Sequence, residues 1–102
     1  AVTIKDAASL SLGSCSMGNG KNMANLSLTL TNSGALTLTA AAGANTFDLL
    51  NVSATTSVST NRLSGGTLTV GGLVKTSTGA SQTSILFFNG GVLKATTDNS
   101  GF

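Results

Sequence analysis

The sequence predicts an all-β protein built as a β-solenoid, with short strands wound around a narrow interior. Apolar and polar residues alternate repeatedly, and Gly, Asn or Ser bounds each such stretch, which is the pattern of half-buried strands. One turn-and-strand motif occurs three times. The 102 residues include only four Phe and no Trp, Tyr, Pro or His, so small side chains must fill the interior. A chain of this length is expected to form a single domain, 1–102.

Charge and composition exclude several classes of function. Five basic and three acidic residues give a net charge of +2, and neither sign is clustered, so no patch for nucleic acid or an anionic membrane is expected. Abundant Thr, Val and Leu argue against intrinsic disorder. No apolar run approaches the ~20 residues of a membrane helix. The first residues do not read as a signal sequence, so a secreted protein would already have lost it.

The first segment, 1–32, contains strands but matches the repeat poorly. Val2 and Ile4 share one face of a predicted strand, and Leu10 and Leu12 share a face of the next. The stretch "NLSLTLTN" alternates most regularly, with Ser and Thr on the opposite face. We therefore expect this segment to form one or more N-terminal coils, with three of its leucines in the core: Leu26, Leu28 and Leu30.

The repeat appears as "SGALTLTA" (33–40), "SGGTLTVG" (64–71) and "NGGVLKAT" (89–96). When the three are aligned on their turns, apolar positions coincide with apolar positions and polar with polar. Stacked coils of a solenoid have this property. The predicted core positions of the repeat are Leu36 and Leu38, Leu68 and Val70, and Leu93 and Ala95.

The spacing of the repeats predicts the size of a coil. Leu68 and Leu93 are 25 residues apart, which suits about three short strands with tight corners. Leu36 and Leu68 are 32 residues apart, so the segment 33–63 is expected to be a long coil that carries a loop. The segment 64–102 contains the best-matching coils.

Sharp corners between the strands explain the glycine pairs. Glycine reaches positive φ at no steric cost, and Asn supports turns through its side-chain hydrogen bonds. The predicted corner residues are Gly65, Gly66, Asn89, Gly90 and Gly91.

The stretch "GGTLTVGGLVKTSTGASQTSILFFNGGVLKAT", 65–96, resembles the autotransporter-associated β-strand repeat of large bacterial surface and secreted proteins. Typical members run "G-T-L-x-V-G-G-L … L-x-F-N-G-G-T-L-x-A-T", and Val92 stands where Thr is common. The resemblance covers about a third of the chain. The matching residues of its second half are Leu86, Phe88, Asn89, Gly90, Gly91, Leu93, Ala95 and Thr96.

This resemblance implies a right-handed parallel β-helix that forms the stalk of an extracellular passenger-type protein at the bacterial surface. With the spacing above, it gives about four coils of roughly 25 residues, and we expect no cap. It implies no catalytic activity.

The ionisable residues offer no enzyme chemistry. Carbohydrate-cleaving β-helices need carboxylates gathered on one face, whereas this chain has three distant aspartates, Asp6, Asp48 and Asp98, and no Glu. We expect no catalytic residue, cofactor or metal site, and we interpret "TTDNSG" around Asp98 as a turn rather than a calcium site. Cys15 is interpreted as a small packed side chain, with an intermolecular disulfide as the alternative.

The predicted function follows from the ends of such a solenoid, where strand edges have no partner. We expect a non-catalytic building element of an extracellular filament, stalk or surface layer, with coils stacked on another copy or on further repeats of a longer chain. One alternative is an adhesin-type module that binds glycan or a host surface. A weaker alternative is a functional amyloid subunit.

The segment "SILFFNGGVLKATTDNSGF", 84–102, yields the interface predictions. Leu86 and Phe88 are predicted to point into the coil, so Ile85 and Phe87 point outward, where a loop or a neighbouring rod would cover them. Phe102 would fill the next interface. At the other end, the candidate interface residues are Val2 and Ile4.

Overall fold

The computed structural model describes residues 1–41, 43–96 and 102, and this part of the chain is all-β with no helix. The alternating stretches form extended strands because Thr, Val, Leu and Ile pack well on a pleated surface. The strands are β1 (Val2–Ile4), β2 (Ser9–Leu12), β3 (Cys15–Ser16), β4 (Asn25–Thr31), β5 (Ala35–Leu38), β6 (Thr46–Asp48), β7 (Ser57–Ser64), β8 (Thr67–Val70), β9 (Gly72–Val74), β10 (Gln82–Phe88) and β11 (Val92–Ala95).

The strands form three sheets, which the chain visits in a fixed order. Sheet A has the order β1-β4-β7-β10, sheet B the order β2-β5-β8-β11, and sheet C the order β3-β6-β9. Every ladder between these strands is parallel. We call one passage through the sheets a circuit; the fourth circuit is described as far as β11. Parallel strands in stacked sheets are consistent with a β-solenoid-like fold.

The strand register confirms the alignment of the three sequence repeats. Leu36 pairs with Leu68, and Leu68 pairs with Leu93, as the alignment predicted. The register also pairs Leu10 with Leu36, so the first circuit has the same strand in sheet B. The alignment missed it because Ala8 stands where the other circuits have glycine.

The extra residues of the long segment lie between sheets B and C. Residues 39–45 connect β5 to β6, whereas residues 13–14 connect β2 to β3 and Gly71 alone connects β8 to β9. The ladders on both sides of this connection stay parallel and in register. A long connection at a corner therefore leaves the stacking undisturbed.

Inward side chains of the three sheets form one main core. Alternate residues of each strand point inward, and those of the middle circuits are almost completely buried. The members are Ile4, Met17, Leu28, Leu30, Leu36, Leu38, Phe47, Leu63, Leu68 and Val70. A second cluster, Leu50, Val52 and Ala54, belongs to the connection between β6 and β7, one of the loops that return the chain from sheet C to sheet A.

These return loops stack on one another by hydrogen bonds. Met17 N donates to the Asp48 carbonyl oxygen at 2.9 Å, and Leu49 N donates to the Val74 carbonyl oxygen at 2.8 Å. The buried Asp48 carboxylate accepts hydrogen bonds from Thr76 Oγ1 at 2.6 Å and from Thr76 N at 3.1 Å. Asp48 therefore fastens the loop of the third circuit.

Candidate assembly interface at the open sheet edges

The three sheets end in two different sets of edge strands. β1, β2 and β3 form what we call the N-terminal edge, and β9, β10 and β11 form the C-terminal edge. An edge strand presents backbone N–H and C=O groups that can pair with another strand. Both edges of each sheet therefore offer a template for further parallel pairing.

Four inward columns connect the two edges. They follow from the strand register and run through sheets A and B, with one residue from each circuit. The columns are Val2/Leu28/Asn61/Leu86, Ile4/Leu30/Leu63/Phe88, Leu10/Leu36/Leu68/Leu93 and Leu12/Leu38/Val70/Ala95.

Burial along a column depends on whether a circuit lies on each side. Leu63 in the third circuit is 1% exposed, whereas Phe88, its neighbour in the fourth, is 54% exposed. At the other end, Val2 is 46% and Leu10 38% exposed. Apart from Ile4, which is already buried, the columns thus end in apolar side chains that a further circuit would cover.

The predicted core needs a correction at its last circuit. Phe88 and Ala95 occupy inward positions but are exposed, and Leu86 and Leu93 are only partly buried, because no strand among the described residues covers the C-terminal edge. Leu26 is also only partly buried. The remaining predicted core residues are buried: Leu28, Leu30, Leu36, Leu38, Leu68 and Val70.

Ile4, expected at the interface, is buried and belongs to the main core. Its carbonyl oxygen lies beneath Gly34, where an added Cβ would overlap it. Because the Ile4 side chain is buried, the exposed apolar area at the N-terminal edge comes from Val2 and Leu10 instead.

Ile85 and Phe87 lie on the outward face of sheet A. They pair with Thr60 and Arg62, which also point outward, and the guanidinium carbon of Arg62 lies 5.0 Å from the Phe87 ring centre. This cation–π contact covers only part of the ring, which remains 46% exposed. Phe102 is also exposed.

The corner between sheets A and B contains a column of left-handed residues. Asp6, Asn32, Gly65 and Gly90 have φ of 57°, 54°, 94° and 84°. Asn32 Nδ2 donates to Asp6 Oδ1 at 2.8 Å, so side chains reinforce the stack. Asn, Asp and Gly tolerate this conformation best. The predicted corner glycines Gly65 and Gly90 belong to this column. Asp6 was not predicted, because the residues beside it are not typical of turns.

The interior of β7 is polar, which the sequence analysis missed. Ser57, Ser59 and Asn61 are buried, and Asn61 Nδ2 donates to Ser59 Oγ at 3.0 Å. Val58 and Arg62 alternate with them and point outward. Period-two patterns are normally oriented with the apolar residue inward; Leu63 follows that rule in β7, whereas Val58 does not.

The described residues contain no group of three or more potential metal ligands. Asp98 lies outside the described residues, so its predicted turn is not addressed. Cys15 lies at the N-terminal edge, next to Phe47, and burial raises the pKa of its thiol. In this part of the chain no helix is long and apolar enough to cross a membrane.

Comparison with known proteins identified no relative. The chain matches no protein-family model, and comparisons with curated proteins and with solved structures gave no significant match.

Proposed function

We propose that this chain is a non-catalytic structural element that assembles end to end into an extracellular filament, stalk or surface layer. The observation that carries the proposal is the pair of open sheet edges, each with inward apolar side chains left exposed at the end of a column. Phe88 and Val2 are the most exposed of them. A monomer in solution would leave these side chains and the edge backbone groups in water.

The free energy gained by burying the exposed edge side chains is comparable to the free-energy cost of association. Burying one exposed Phe, Leu or Val side chain contributes about 1.5–3 kcal/mol, and association costs roughly 4–15 kcal/mol in lost freedom. Phe88, Leu93, Val2 and Leu10 together supply several such side chains, and new strand pairing adds backbone hydrogen bonds. The partner in this proposal is another copy or further repeats of a longer parent chain.

We also propose that the fold is a right-handed parallel β-helix. Its support is the fixed order of the sheets combined with the strong preference of parallel crossover connections for the right hand. The resemblance of 65–96 to the autotransporter-associated repeat supports a bacterial, extracellular setting for it.

Sedimentation velocity and electron microscopy at micromolar concentration test the assembly. We expect concentration-dependent polymers or filaments whose width equals that of the single chain. A protein that stays monomeric and melts cooperatively across that range would contradict the proposal.

A binding module is the second candidate, and the outward face of sheet A favours it. Phe87 offers a half-exposed ring beside Arg62. A depression of about 370 Å³ next to Arg62 is lined by both polar and apolar residues: Asn25, Ser27 and Thr60 with Ala1, Leu26 and Val58. A ring beside hydroxyl and amide groups is typical of sugar-binding surfaces. Saturable binding on a glycan array, lost in Phe87→Ala, would promote this candidate over assembly.

A further inference from the structure

We propose that the C-terminal edge of one copy binds the N-terminal edge of a second copy head to tail, with the four inward columns in register. We also propose that the Ala8 side chain makes this junction less tightly packed than the contact between successive circuits within one chain. The inference rests on the proposed function and specifies its polarity, register and limiting residue. Its partner is a second copy of this chain.

The register follows from the continuity of the columns. Each column is apolar at both of its ends, so stacking places like on like: Phe88 beside Ile4 of the second copy, and Leu93 beside Leu10 of the second copy. The bulky Phe88 lies beside Ile4, which is already buried, whereas the small Ala95 lies beside Leu12, which is partly buried. The junction therefore pairs side chains of different size within one interior.

The polarity follows from the number of sheets. Head-to-tail stacking sets each sheet against its own equivalent and keeps every new ladder parallel, like the internal ladders. Contact between two like edges requires a twofold axis perpendicular to the stacking direction. Such an axis reverses the order of sheets A, B and C around the interior, so at most one sheet meets its equivalent. Only the head-to-tail arrangement extends sheets A and B together, and such a heterologous contact generates an open filament.

A repeated corner hydrogen bond supports the same register. Between successive circuits, Ala35 N donates to the Ala8 carbonyl oxygen at 3.0 Å, Thr67 N to that of Gly34 at 2.8 Å, and Val92 N to that of Gly66 at 2.8 Å. The Gly91 carbonyl oxygen is the next acceptor of this series. The donor that the register brings to it is Ser9 N of the second copy.

Ala8 is the exception in this corner column. The other circuits have Gly34, Gly66 and Gly91 there, and a Cβ added to any of them would overlap atoms of the preceding circuit: the Ile4 carbonyl oxygen, the Gly34 carbonyl oxygen and the Leu63 side chain. Ala8 carries such a Cβ and is exposed at the N-terminal edge. In the stacked pair this methyl group presses on the corner of the first copy, so the junction closes less tightly than an internal step.

A cysteine pair on the outward face tests register and polarity. Lys94, Thr69, Thr37 and Ser11 form one outward column, so the junction brings Lys94 within one strand spacing, about 4.8 Å, of Ser11 in the second copy. In a Cys15→Ser background, Lys94→Cys and Ser11→Cys are made singly and together and treated with a short bismaleimide. The double variant should form a ladder of multimers, and a mixture of the two single variants should form dimers.

The alternatives give different patterns in the same experiment. Cross-linked dimers of one single variant by itself would show contact between like edges and overturn the head-to-tail junction. Assembly in the centrifuge without cross-links in the double variant would likewise overturn the register while leaving end-to-end assembly standing. Absence of assembly would overturn the proposed function itself.

The Ala8→Gly variant tests the limiting residue. Relief of the overlap should lower the protein concentration at which half of the chains assemble by about tenfold. Ala7→Gly is the matched control, since it adds the same backbone freedom at a neighbouring corner residue outside the glycine column, and it should leave that concentration unchanged. An equal shift in both variants, or none in Ala8→Gly, would overturn the role of Ala8.

Discussion

At the scale of single residues, the corner between sheets A and B uses glycine for two separate reasons. Gly65 and Gly90 have positive φ, so their value is conformational. Gly66 and Gly91 do not have positive φ, but their Cα atoms approach the preceding circuit so closely that a side chain has no room. Adjacent glycines of one pair thus serve backbone shape and stacking distance respectively.

We predict that Gly66→Ala destabilises the fold strongly. Its Cβ would overlap the Gly34 carbonyl oxygen and lie 2.9 Å from Leu30 Cβ, so neighbouring circuits must move apart, at a cost of about 1–3 kcal/mol. Gly13→Ala is the control, because nothing lies within 4 Å of its added Cβ. Urea unfolding of both variants measures the difference, and equal midpoints would contradict the stacking role of Gly66.

Cys15 makes a second prediction at this scale. Burial raises the pKa of its thiol in the folded state, so in alkaline solution the unfolded chain ionises before the folded one. The thiol's contribution to stability is therefore complete below its ordinary pKa and is lost as the pH rises through the raised value. From about pH 7 to about pH 10, the free energy of unfolding should fall more in the wild type than in Cys15→Ser. Parallel curves would contradict this.

At the scale of elements, β7 and β10 show how position in a sheet overrides sequence character. β7 is an internal strand, and its residues Ser57, Ser59 and Asn61 are buried between β4 and β10. β10 is richer in large apolar residues, yet Ile85 and Phe87 point outward, and Phe88 points inward but is exposed because β10 is the edge strand. The apolar content of an element therefore predicts what it can bury, while its neighbours decide what it does bury.

We predict opposite behaviour for alanine substitutions at an inner position and at the C-terminal end of one column, Leu63 and Phe88. Leu63→Ala should lower the free energy of unfolding by about 2–5 kcal/mol, because it leaves a cavity between two circuits. Phe88→Ala should cost about 1 kcal/mol or less in the dilute monomer, since half of the ring is already in water, and should abolish assembly. Urea titration and sedimentation measure the two effects. An assembled Phe88→Ala variant would contradict the interface.

At the scale of the whole molecule, the proposed assembly implies that stability depends on protein concentration. The chain is small, carries a net charge of +2 and exposes apolar side chains at both edges, so little electrostatic repulsion opposes stacking. In the proposed filament, each new contact would bury the ends of the columns and so stabilise the folded form over the unfolded one by mass action.

We therefore predict a melting temperature that rises with protein concentration. Raising the ionic strength to about 0.5 M should leave the assembled fraction unchanged or higher, because the contact is apolar rather than ionic. Calorimetry over a hundredfold concentration range and sedimentation at both salt concentrations provide the measurements. A melting temperature independent of concentration, or dissociation in salt, would contradict an apolar end-to-end contact.

The sequence by itself determined the strand class, the repeat alignment in sheet B and the position of the best corner glycines, because these depend on local alternation and on turn chemistry within a few residues. The tertiary structure decided the rest. Whether Phe88 or Ser59 is buried depends on which circuits lie on each side, and whether Ala8 obstructs a contact depends on a backbone distance between circuits. Those are relations between residues 25 or more positions apart along the chain, which no local pattern encodes.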